Sequence, residues 1–83
     1  MDDYLILARS VTYAQRMQKA LSRIGIRNRI YRAPRDLADL GCAYVVQVEP
    51  QALGRALPVL NGAGLGPLRV YGRQGAAFRE LSL

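Results

Sequence analysis

Cys42 is the single cysteine of this chain, set between Gly41 and Ala43 at the head of the apolar run Tyr44-Val45-Val46-Gln47-Val48. A proline–arginine pair, Pro34-Arg35, precedes it. The thiolate is the nucleophilic form of cysteine, and nearby cations favour it. Arg32 and Arg35 are close enough in sequence to steady such an anion, while Asp36 and Asp39 oppose them. A residue following a turn closed by Gly41 lies at a loop–strand junction, where side chains are often accessible. The competing reading is a small hydrophobe buried at a strand start, a common fate for cysteine.

Other chemistry is poorly provided for. The chain has no histidine, so neither a Ser-His-Asp nor a Cys-His arrangement is available. One cysteine and scattered carboxylates do not build a zinc site. Gly62, Gly64 and Gly66 alternate, but no lysine or hydroxyl follows at phosphate-loop spacing. Asp36 and Asp39 read as helix-turn caps rather than an acid–base pair. The expectation is a protein that is not an enzyme and needs no metal or cofactor.

The elements that must position Cys42 belong to one domain, residues 1–83, whose size allows only a modest core. The hydrophobic share of 51% and charged share of 22% fit a folded chain rather than a disordered one. Net charge is +6, and 11 of the 12 cations are arginine, with Lys19 the exception. Arginine grips carboxylates and phosphates through its planar fork, although a GC-rich genome produces the same bias. A lone cysteine excludes an internal disulfide and suits a reducing compartment. The acidic start, Met1-Asp2-Asp3, runs straight into a strand candidate, unlike a signal peptide. No apolar run approaches a membrane span. A cytoplasmic location, without membrane contact, is expected.

Tyr4–Ala8 is a continuous apolar run that suits a central strand. Ser10 and Thr12 are candidate N-caps, and Thr12 with Gln15 fits a capping box. Ala14, Met17, Leu21 and Ile24 then recur at helical spacing, and Gly25 ends the helix. Arg27–Arg32 reads as an edge strand, because its three arginines discourage pairing with another chain. Pro34 stops it and can start one helical turn closed by Gly41. Ala43–Val48 is the second central strand. Pro50 opens a helix with Ala52, Leu53, Ala56, Leu57 and Leu60 on its apolar stripe, interrupted by Gly54 and Pro58. Leu68–Tyr71 is the fourth strand, residues 72–75 a turn, and residues 76–83 an added strand or docking tail. The order βαββαβ predicts an α+β, ferredoxin-like domain: a four-stranded antiparallel sheet in the order 4-1-3-2, with two helices on one face. The second face is left to solvent, a partner or a dimer.

From Tyr4 to Val70 the chain resembles the small selenium/sulfur carrier-like domains, a bacterial family. The resemblance rests on the opening strand, the Ser/Thr-capped helix ending in Gly25-Ile26, the Pro34-Arg35 pair, and Gly41-Cys42-Ala43-Tyr44. Members often carry glycine after the cysteine, where this chain has Ala43 and places its glycine before. The resemblance implies a persulfide or selenopersulfide held on Cys42, with Arg32 and Arg35 steadying the anion and Pro34 and Gly41 shaping the loop. It implies donor and acceptor proteins as partners. The alternative is a non-catalytic interaction domain, homodimeric through the uncovered sheet face. RNA binding ranks third: Tyr4 and Tyr44 on the central strands are the stacking candidates, and neither belongs to a ribonucleoprotein motif.

Overall fold

The computed structural model describes residues 3–38, 44–75 and 77–82. Five strands form one sheet: β1 (Tyr4–Ala8), β2 (Asn28–Arg32), β3 (Tyr44–Val48), β4 (Val70–Gln74) and β5 (Ala77–Glu80). Their order is β2-β3-β1-β4-β5, and every neighbouring pair is antiparallel. The two apolar runs, β1 and β3, lie inside, and arginine-rich β2 lies at an edge. The helices are α1 (Val11–Arg23), α2 (Arg35–Ala38) and α3 (Leu53–Gly62), the last entered through a 3-10 turn at Pro50–Ala52.

Five strands replace the four expected. Residues 72–74 are not a turn: Gly72 pairs with Arg79, Arg73 with Phe78 and Gln74 with Ala77. The reversal falls instead at Gly75, whose φ of 60° is left-handed. Glycine and polar residues concealed strand character that pairing with β5 supplies. The 76–83 segment resolves in favour of the added strand, through Ala77–Glu80.

Helix α1 starts one residue before the expected capping box. Ser10 is the cap, and its Oγ accepts the Tyr13 N–H at 3.2 Å. Thr12 lies inside the helix. At the other end Gly25 takes φ 77°, so that its N–H reaches Ser22 O at 3.1 Å and the Ile26 N–H reaches Leu21 O at 3.0 Å. This left-handed closure turns Ile24 out of the apolar stripe, to 42% exposure, and puts Ile26 into the core instead. α3 closes by the same device. Gly64 has φ 75°, and Leu65 N–H bonds Leu60 O at 3.1 Å. The α3 helix runs through Pro58.

Strand alternation divides the apolar residues between two faces. Ile6, Ala8, Val46, Val48 and Val70 face α1 and α3, where they pack with Ala14, Met17, Leu21, Ala56 and Leu60. Leu5, Val45 and Tyr71 point the other way and pack with Leu37 of α2. The second face is therefore not bare. α2 folds over it, burying Leu37 to 1% exposure, with Tyr31 and Phe78 alongside. Two helices on one face is right for α1 and α3; α2 occupies the opposite face.

Candidate functional site

Strand register assembles one end of the sheet around the start of β3. Tyr44 lies opposite Ala8 on one side and Arg32 on the other. Chain order then adds Arg9 and Ser10 beyond β1, and Ala33, Pro34 and Arg35 beyond β2. The next neighbour follows through the bond from Leu7 N–H to Arg69 O at 2.9 Å.

Pro34 begins a helical turn, as its fixed φ favours. Its carbonyl accepts the N–H of Leu37 at 2.9 Å and of Ala38 at 2.8 Å. That turn aims Leu37 into the second-face cluster and leaves Arg35 and Asp36 exposed. Arg32 is also exposed, with its guanidinium carbon 5.9 Å from the Tyr44 ring centre. The structure thus brings Arg32, Pro34 and Arg35 to one end of the sheet. Cys42 and Gly41, with Asp39 and Ala43, lie outside the described residues.

Sequence reasoning missed a second group at this end. Arg9 and Arg16 both approach the Tyr13 ring, at 4.4 Å and 5.9 Å from its centre, and both are exposed. Only part of the signal was local: Tyr13 and Arg16 are three apart on α1 and share a face, whereas Arg9 precedes the helix.

Tyr4 and Tyr44 do not form a stacking platform. Both belong to the strand face that α1 and α3 cover, and both are half-buried against its core. Alternation carries them inward with Ile6 and Val46.

On the second face, Arg69 forks onto Glu80, with Nε–Oε2 at 3.0 Å and Nη2–Oε1 at 3.1 Å. Arg69 Nη2 also donates to Tyr71 Oη at 3.0 Å, and Tyr71 Oη donates to Glu80 Oε1 at 3.2 Å. The hydrogen bond from Arg69 is the main reason the Glu80 carboxyl stays below its ordinary range. Burial pushes the Tyr31 hydroxyl up, with Arg73 and Arg29 opposing. At the far end of the sheet, Gln47 Nε2 donates to Asp3 Oδ2, beside a groove of about 540 Å³ that Arg27, Asn28 and Glu49 also line. Among the described residues, Arg32, Pro34 and Arg35 do not line it.

Among the described residues, no group of three or more acidic, cysteine or histidine side chains gathers as a metal site. No helix of the described residues is long and apolar enough to cross a membrane. A comparison with protein families matches residues 3–72 to the family described as "Putative Se/S carrier protein-like". No curated protein matches the chain.

Proposed function

The chain belongs to the Se/S carrier protein-like family, and on that premise we propose that it carries one sulfur or selenium atom on Cys42. The family match over residues 3–72 is the observation that supports this most directly, since the matched span includes Cys42.

The step needs little machinery. The Cys42 thiolate attacks the outer chalcogen of a donor's persulfide or selenopersulfide. A new S–S or S–Se bond forms at Cys42, the donor's own bond to that atom breaks, and the donor cysteine leaves as a thiolate. An acceptor nucleophile later attacks the same outer atom, and the Cys42 thiolate is released. Each transfer exchanges one thiolate for another, so no external oxidant or reductant is required. No histidine is needed either.

The chain's contribution is electrostatic. Cys42 stands two positions before Tyr44 in the chain, a span of at most about 7 Å of extended backbone. Arg32 lies directly opposite Tyr44, and Arg35 opens α2 on the other side of the connection. Guanidinium groups at that range favour thiolate and persulfide anions over their protonated forms. Asp36, exposed on α2, opposes them.

Incubation with a cysteine-desulfurase-type persulfide donor, followed by intact-mass measurement, tests the proposal. The expected result is a gain of one chalcogen atom, removed by reductant and absent from Cys42→Ser. An unlabelled chain, or labelling that survives Cys42→Ser, overturns it.

A further inference from the structure

We propose that the sheet end at the start of β3 docks an acidic protein surface through Arg9, Arg16, Arg32 and Arg35. This rests on the carrier reading and says what donor and acceptor present to it.

All four arginines are exposed, and among the described residues none makes an ion pair with a carboxylate. The ion pair among the described residues is Arg69–Glu80, on the second face, where Arg69 lies beside Leu7 and its charge is already matched. The first turn of α1 contains no acidic residue to offset Arg9 and Arg16. Asp3 and Glu49 lie at the opposite end, before β1 and after β3, and Glu80 is engaged by Arg69, which leaves Asp36 as the described acid without an ion pair at this end. Ala8 and Arg32 flank Tyr44 on its two sides, so their backbones stand two strand spacings, about 10 Å, apart. Arg32 and the residue preceding Arg9 are therefore near neighbours across this end, with Arg16 on α1 and Arg35 on α2 flanking them on the two faces.

Three of the four are already held in place. Arg9 and Arg16 rest on Tyr13, and Arg32 rests on Tyr44. A guanidinium above a ring keeps its N–H edges for a carboxylate fork and loses less freedom on binding. The same contacts favour a protein over a nucleic acid. Both rings at this end are half-buried and met by guanidinium groups, so they offer bases no open stacking surface.

Fluorescence anisotropy of a labelled glutamate-rich peptide, titrated with the full chain at about 0.15 M salt, tests the proposal. Arg9→Glu and Arg32→Glu should each weaken binding about tenfold, whereas Arg23→Glu and Arg55→Glu, exposed elsewhere, should change it less than about threefold. Cys42→Ser should bind as the unaltered chain does. Losses at Arg23 and Arg55 equal to those at Arg9 and Arg32, or no binding, overturn the proposal. So does tighter binding of labelled oligouridine that depends on Arg9 and Arg32. A chain that docks the peptide but takes up no chalcogen keeps this inference and loses the carrier reading; the reverse result does the opposite.

Discussion

The ring of Tyr4 lies across Gly72, its register partner on the adjacent strand, so closely that a Cβ at residue 72 would stand 3.3 Å from Tyr4 Cε1. Glycine inside a strand commonly marks such an approach. Gly72→Val should destabilise the chain by about 1–3 kcal/mol through overpacking. In a Tyr4→Ala background the same change should cost less, because the obstructing ring is gone. Urea unfolding of the two single variants and the double variant reads this coupling; strict additivity rules it out.

Leu37 is the anchor of α2, 1% exposed among Leu5, Val45 and Tyr71. Leu37→Ala should lower stability by about 2–5 kcal/mol. It should also speed proteolysis near α2 more than elsewhere, since no other buried residue of α2 replaces it. Limited digestion mapped by mass spectrometry checks this, and cleavage distributed evenly along the chain counts against it.

Ser10 caps α1 by accepting the Tyr13 N–H. Ser10→Ala should cost about 1 kcal/mol, and Ser10→Gly only a few tenths. Thr12→Ala should be near neutral because Thr12 lies within the helix. Thermal melts of the three variants rank these positions, and a larger loss at Thr12 would show the wrong residue was chosen.

The Arg69–Glu80 fork gives stability a pH dependence. The Glu80 carboxyl is held below its ordinary value of 4.5, so its contribution is present above that value. It is lost as pH falls through the lower folded value, where the folded state must also take up the proton. The group is solvent-exposed, so the effect is small. Acid titrations of Glu80→Gln and the parent chain should converge at low pH and separate above it; parallel curves contradict the linkage.

Arg32→Ala and Arg35→Ala should slow alkylation of Cys42 at neutral pH if these cations favour its thiolate. A rise of half a pKa unit cuts the thiolate fraction about threefold. Rate against pH should keep its alkaline plateau and move its midpoint upward. An unmoved midpoint removes the electrostatic role.

Much of the scaffold was legible because its signals were local. The apolar runs at Tyr4–Ala8 and Tyr44–Val48 marked the two inner strands, and the spacing of Ala14, Met17 and Leu21 marked α1. What escaped notice depended on distant partners. Gly72 looks like a turn residue until Tyr4 is seen above it. Ile24 continues the helical period, yet the left-handed Gly25 hands its place to Ile26. Leu37 gave no periodic pattern at all, since a single helical turn is too short to have one. At the candidate site, the Pro34 turn and the exposed arginines could be read directly, whereas the pairing of Arg9 and Arg16 on Tyr13 required the three-dimensional register of helix and strand.

Leu37 and Val45 sit in the same buried cluster, on either side of the connection that bears Cys42. The two posts stay at a set separation whatever spans them. Lengthening that span costs little, about 0.6 kcal/mol for each doubling of its residues. Insertions and substitutions between Ala38 and Tyr44 should therefore leave the pairing of β3 with β1 and β2 intact.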